Sequence, residues 1–135
     1  MWGITQRVAV SWGYTGQMRE LPQATAKLIA KALYWDKYQC DQLPPLLGYF
    51  VFDAAFNGGH PVQWLQQAVG VSADGVMGAE TVAAARSCNL GAAALRYCAT
   101  HLQYYVQLHN GAFLGGWDNR VASNMLVAAA NLQQG

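Results

Sequence analysis

Charge is what this sequence has least of: Asp, Glu, Lys and Arg make up 11% of its 135 residues, and the formal net charge is +1. The eight basic residues are scattered along the chain from Arg7 to Arg120. Nucleic-acid binders cluster Lys and Arg to neutralise phosphates, so no nucleic-acid partner is expected. Cysteine is sparse and odd in number, with Cys40, Cys88 and Cys98 sharing no short spacing. That argues against a disulfide framework and against a zinc site, and free buried thiols are expected instead. No apolar run approaches the roughly 20 residues that a membrane span takes, so no integral membrane association is expected. The start shows no basic stretch followed by an apolar run and a small-residue cleavage site, so no signal peptide is read there. Sustained β-branched alternation, the mark of a strand, is missing throughout. No linker, low-complexity tract or convincing repeat divides the chain, which reads as a single domain over residues 1–135, long enough to bury a real core.

Apolar residues supply 53% of the sequence. They are densest from Pro45 to Gly59, a stretch opened by Pro44-Pro45 and closed by Gly58-Gly59. Proline suits the first turn of a helix and glycine the position just past its end. A helix that is apolar on all sides belongs inside a protein, so a buried central helix from Pro45 to Gly58 is expected. Tyr49, Asp53 and Asn57 break the pattern at intervals of four and therefore stack along one face. Such a row either carries a hydrogen-bond network or lines a cleft.

The other stop signals give an all-α chain of about six or seven helices. Thr5 caps a helix to about Trp12, stopped by Gly13. Pro22 opens a second helix reaching Tyr38 or Cys40, with Ala24, Leu28, Ala32 and Trp35 as its apolar face. Pro61 opens a helix that Gly70 ends, with Val62, Leu65 and Val69 facing one way. A loop around Asp74-Gly75 leads to a helix from Ala79. Asn89 caps a long helix whose expected core stripe is Leu95, Cys98, Leu102 and Tyr105, with Arg96, Thr100, Gln103 and Gln107 on its wetter side. The last helix, from Trp117, is expected to bury Val121, Met125, Ala128 and Leu132.

Of the seven carboxylates only Asp53 sits in a strongly apolar context, where it must find a hydrogen-bonding partner. It either ties the central helix to a neighbouring loop or faces a cleft, and Asn57 is placed to be its partner or a substrate contact. His60, His101 and His109 have no triad-like setting and read as surface or capping residues. Metal and cofactor binding have no support. The aromatic run Tyr34-Trp35-Asp36 reads as core or as a platform for flat sugar faces. Gly115-Gly116-Trp117-Asp118-Asn119-Arg120 has the same mixed character.

Taken in order, Trp2-Gly3-Ile4-Thr5, Tyr34-Trp35-Asp36, Phe52-Asp53-Ala54-Ala55-Phe56-Asn57-Gly58, Leu65-Gln66-Gln67-Ala68-Val69-Gly70-Val71, Asp74-Gly75-Val76-Met77-Gly78 with Thr81, and Gly116-Trp117-Asp118-Asn119-Arg120-Val121 resemble glycoside hydrolase family 108. These are phage-type N-acetylmuramidases, also labelled secretion activators, with a peptidoglycan-binding second half. The resemblance implies a lysozyme-like helical fold and a peptidoglycan glycan strand as partner, cut between N-acetylmuramic acid and N-acetylglucosamine. With that partner, Thr5, Tyr34, Trp35, Tyr49, Asp53 and Asn57 are the expected substrate-binding residues, the row of Tyr49, Asp53 and Asn57 either facing the glycan cleft or bracing the loop that carries the acid. The resemblance also implies synthesis in a bacterial cytoplasm and action at the wall or periplasm. The family's general-acid glutamate lies in a Glu-Gly-Gly segment ahead of Gly3-Ile4-Thr5, so the expectation is a chain that starts after its catalytic segment, with no catalytic residue of its own. Met1 is then either internal to a longer gene product or the start of a degenerate relative. Neither Glu20 nor Glu80 matches the family's glutamate. Alternative readings are a non-catalytic peptidoglycan-binding module and a structural helical domain of a phage or secretion apparatus.

Overall fold

The computed structural model describes residues 3–108 and 114–134, with side chains up to 108 and from 120 to 133. Among the described residues seven α-helices follow one another: α1 (Gln6–Trp12), α2 (Gln23–Ala30), α3 (Pro45–Asn57), α4 (Pro61–Val69), α5 (Ala79–Ser87), α6 (Leu90–Leu108) and α7 (Leu114–Gln134). No strand occurs among the described residues, and the all-α expectation holds. No described helix is long and apolar enough to cross a membrane.

Local stop signals place most helix ends. Thr5 accepts the Val8 N–H at 3.2 Å, and Gly13 ends α1 in the left-handed conformation at φ 110°. Pro45 and Pro61 each occupy a first helical turn, Gly70 closes α4 at φ 83°, and Asn89 accepts the Ala92 N–H at 2.9 Å to cap α6.

Helix α3 is the centre of the molecule, as expected: Leu47, Phe50, Val51 and Ala54 are wholly buried on it. Around it pack Leu65 and Trp64 of α4, Val82 and Ala85 of α5, Tyr97 and Cys98 of α6, and Val121 of α7. Tyr97 closes the centre, its hydroxyl lying 3.3 Å from the Phe50 carbonyl and 3.2 Å from that of Pro61. A smaller cluster of Ile4, Ala9, Leu21, Ala26 and Ile29 joins α1 to α2, with Phe56 of α3 packed against it.

Three helical faces differ from expectation. On α2 the buried residues are Ala26 and Ile29, and Leu28 is 56% exposed. On α6, Cys98 and Tyr105 are buried as expected, but Ala94, Tyr97 and His101 join them while Leu95 and Leu102 point outward. On α7, Val121 and Ala128 face inward with Asn124, and Met125 and Leu132 are exposed. Leu95, Met125 and Leu132 instead line an apolar trough of about 320 Å³ between α6 and α7.

The second helix does not continue to Tyr38 as an α-helix. From Lys31 to Asp36 it widens into a π-turn, and Gln39 ends it in the left-handed conformation at φ 56°. The wider turn stacks residues five apart, and Lys31 Nζ meets Asp36 Oδ1 at 2.9 Å. It also brings the Trp35 ring against Phe52 of α3, with centroids 5.8 Å apart. Gly48 admits this approach, because a Cβ there would stand 2.9 Å from the Cys40 carbonyl oxygen and 3.4 Å from the Trp35 ring.

His101 is a buried residue rather than a surface one, lodged between Trp64 and Tyr105 at centroid distances of 4.8 and 4.4 Å. Its Nε2 meets no hydrogen-bonding partner among the described residues. Burial pulls its imidazole down to about 4, and the nearby Asp53 only partly opposes this. The fold therefore favours the neutral ring, and acid favours the unfolded chain from about pH 6.5 downward. Between pH 6.5 and 4 the folded state is expected to lose on the order of 3 kcal/mol through this residue. Urea midpoints measured over that range should fall more steeply in the wild type than in His101→Leu. Parallel curves would count against a neutral buried imidazole.

Candidate functional site

One side of α3 stays open. Phe52 and Phe56 are only half-buried there, next to the wholly buried face of the same helix. Trp35 faces them from the π-turn, and Ala30, Lys27 and Lys31 form the opposite wall. The groove so formed is about 450 Å³ and runs on, past Lys27, Ala30 and Phe52, into a second hollow of about 290 Å³ that ends at Gln23 and Phe56. Its floor is aromatic: Phe52 stacks on Phe56 at 6.1 Å, and Tyr34 meets Phe56 edge-on at 5.1 Å. Trp35 Nε1 donates to Asp41 Oδ1 at 2.8 Å, which tethers the indole at the groove wall. The Lys31 ammonium is held up in pKa chiefly by its hydrogen bond to Asp36, so it is cationic at the rim.

The expected site residues divide into two groups. Trp35 lines the groove, and Tyr34 supports its floor through Phe56. Tyr49 stands half-buried on α3 within the field of Asp53 and Arg120, with its phenol raised first by burial. Asp53 turns the other way and is 6% exposed. Its Oδ1 accepts from Arg120 Nη1 at 2.7 Å and from Asn57 Nδ2 at 3.2 Å, and its Oδ2 accepts from Asn124 Nδ2 at 3.0 Å. Asn57 also donates to the Asp53 carbonyl at 2.9 Å. Asp53 and Asn57 thus form a network between α3 and α7 and do not line the groove. The partner element is the last helix, not the neighbouring loop considered from the sequence. The Thr5 hydroxyl is engaged as the cap of α1. Of the segment from Gly115 to Arg120, only the Arg120 side chain lies within the described residues; Met1, Trp2 and His109 lie outside them.

The other described carboxylates are occupied or remote. Asp36 pairs with Lys31, Asp41 holds Trp35, and Glu20 and Glu80 are exposed outside the groove lining. Asp74 accepts the Val76 N–H at 2.9 Å and Gln66 Nε2 at 2.7 Å, and these bonds hold its carboxyl below the ordinary 3.8. Among the described residues no three His, Cys, Asp or Glu side chains converge as a metal site would need. The thiols are free, and burial pushes Cys40 up to about 12 and Cys98 to about 11, so neither is a thiolate at neutral pH.

Two features escaped the sequence reading. Phe52 and Phe56 lie beside the polar row of α3 at the same spacing of four, and their apolar character assigned them to the core. Gln66 is 1% exposed and gathers the whole 71–78 loop: its Nε2 lies 2.7 Å from Asp74 Oδ1, 3.0 Å from the Val76 carbonyl and 3.1 Å from Thr81 Oγ1. Its Oε1 accepts the Gly75 N–H at 2.9 Å. The spaced residues Gln66, Asp74, Gly75 and Thr81, quoted above only as a pattern, are therefore one hydrogen-bonded unit.

Comparison with known proteins agrees with this architecture. The family described as glycosyl hydrolase 108 matches residues 1–59, and a predicted peptidoglycan domain matches residues 60–122. The junction falls between Gly59 and His60, in the turn from α3 to α4. A search of the curated proteins found no significant match. Among solved structures, SagA from Brucella abortus superposes with a TM-score of 0.80 at 30% identity, over 95% of this chain and 78% of that one. With both halves matched in order and a structure of this likeness over most of its length, the chain belongs to the glycosyl hydrolase 108 family.

Proposed function

We propose that these residues act at the bacterial cell wall by binding the glycan strand of peptidoglycan in the groove between α2 and α3. The observation that carries this reading is the open aromatic face of the central helix, with Trp35 set edge-on against Phe52. Half-buried rings suit the flat apolar faces of sugars. Lys27 and Lys31 at the wall suit the carboxylates of the attached peptides, at a strength that salt should reduce. Tyr34 extends the aromatic surface through Phe56, and Tyr49, expected as a contact, stands outside the groove lining. Thr5, Asp53 and Asn57 act on binding through the helices they cap or join.

We further infer that this stretch of chain hydrolyses glycan poorly on its own. A glycosidase needs a carboxylic acid at the scissile oxygen and usually a second carboxylate opposite it. The described carboxylates nearest the groove are Asp36 and Asp41, and each is already held by Lys31 or Trp35. Turbidity of a purified cell-wall suspension is expected to stay flat with this protein. Lysis at lysozyme-like rates, abolished by Glu20→Gln or Glu80→Gln, would overturn that inference.

Retention on insoluble peptidoglycan tests the groove. Trp35→Ala is expected to weaken retention roughly tenfold, the scale of one well-packed aromatic anchor. Trp35→Phe should keep most of it with an unchanged melting temperature. Equal retention in all three proteins would remove the groove as the site. The apolar trough between α6 and α7 favours a second reading, a structural domain that assembles through that face. A monomeric mass in solution at every concentration, with full retention on peptidoglycan, would disfavour self-assembly through it.

A further inference from the structure

A second surface has the chemistry of a sugar site and none of the charge of the first. Helix α4 presents Gln63 and Gln67 along one edge, and α6 presents Gln103 and Gln107 along the facing edge, each pair one helical turn apart. Between them lies a trough of about 380 Å³, within the usual range for a small-ligand site. Its floor is the half-buried Tyr104 ring, edge-on at 5.1 Å to Trp64, which is itself 4% exposed and braces it from below. His60 stands against Tyr104 at 5.3 Å and marks the end nearest the α3–α4 turn. Beyond His60 the trough opens into a hollow of about 250 Å³ reaching Tyr38 and Gly75. Gly59 borders that hollow at φ 149°, where a Cβ would stand 2.5 Å from the Trp64 ring, so the backbone lies flat on the indole.

Among the described residues, no Asp, Glu, Lys or Arg lines either part. A carboxamide offers two donors and an acceptor, and four of them face the trough with no hydrogen-bonding partner among the described residues. An ordinary wet helix surface is dominated by charged side chains, and α4 has none. Phosphates, nucleic acids and acidic peptides would find no countercharge here. A ligand with hydroxyl and acetamido groups around an apolar ring face would find both its needs met, amides at the edges and the half-buried Tyr104 ring below.

We propose that the trough between α4 and α6 is a further saccharide subsite, taking an N-acetylated hexosamine unit of the glycan strand. This rests on the glycan reading above but places the contact in the half of the chain after Gly59, away from Trp35. A strand held at two places would be retained more firmly than at either alone.

The test uses the intact protein with insoluble peptidoglycan and with soluble chitotetraose. Gln63→Ala/Gln103→Ala is expected to lower retention at least fivefold, with circular dichroism and melting temperature unchanged. Gln67→Ala/Gln107→Ala serves as an independent repeat from the other end of the trough. Chitotetraose should shift the side-chain amide resonances of these glutamines in the wild type. If both double variants are retained like the wild type while Trp35→Ala is lost, the subsite is overturned and the groove reading stands. If the wild type itself is not retained, both fall together.

Discussion

Gln66→Ala is expected to cost about 4–5 kcal/mol, near the upper end for a single substitution. The side chain is a small polar core in itself. Two amide protons serve three acceptors, Asp74 Oδ1, the Val76 carbonyl and Thr81 Oγ1, and the amide oxygen takes the Gly75 N–H. Alanine removes all of these at once and leaves a cavity under the loop. Thr81 is 3% exposed, so its hydroxyl would stay dry and unpaired, at about 1–3 kcal/mol by itself. The loss should fall on residues 71–78 first, because that loop has no helix or strand ladder of its own. Amide exchange there should quicken more than exchange in α3. Gln66→Glu is a sharper control than alanine, since it keeps the volume but turns a donor into an acceptor facing Asp74. Its stability should be no better than that of the alanine variant at pH 7. A melting temperature within a few degrees of wild type in either variant would mean that water replaces the amide.

The lengths and ends of most helices were legible from the sequence, because Thr5, Pro45, Pro61, Gly70 and Asn89 act through local backbone rules that need no tertiary partner. Which face of a helix is buried was less legible. On α6 and α7 apolar residues occur all round, so two stripes compete and the neighbours decide. Tyr97 wins over Leu95 because its hydroxyl reaches two carbonyls, Phe50 in the middle of α3 and Pro61 in the first turn of α4. The π-turn at 31–36 has no sequence signal that a period of 3.6 can register, yet it sets Trp35 edge-on against Phe52. The polar row of α3 was found by spacing alone, but its direction depends on Arg120 and Asn124, which lie 67 and 71 residues further on. The aromatic row beside it was visible as letters and invisible as a surface. Only the packing of α2 shows that this side of an apolar helix is left open.

Asp53→Ala is expected to destabilise the protein by about 3–4 kcal/mol, for reasons that do not involve ligand. For a domain of this size that is roughly a 10–15 °C fall in melting temperature. The carboxylate sits at 8% side-chain exposure and Arg120 at 37%, so the two ends of the pair are not equivalent. Removing Asp53 strands the Asn124 amide, which is 3% exposed and has no route to water, while Arg120 can turn outward. Removing Arg120 leaves the carboxylate with Asn57 and Asn124, and water can enter where the guanidinium was. Arg120→Ala should therefore cost less, about 2–3 kcal/mol, and the double variant should cost well under the sum of the two. The same experiment decides between anchor and cleft. If Asp53 joins α3 to α7, chemical stability falls in both variants, and retention on peptidoglycan follows the folded fraction. If Asp53 instead contacts glycan, Asp53→Ala should lose retention at an unchanged melting temperature, and Arg120→Ala should not mirror it. The short bond to Arg120 and the second one to Asn124 favour the anchor, because a carboxylate already holding donors from two turns of α7 has little left with which to bind a sugar.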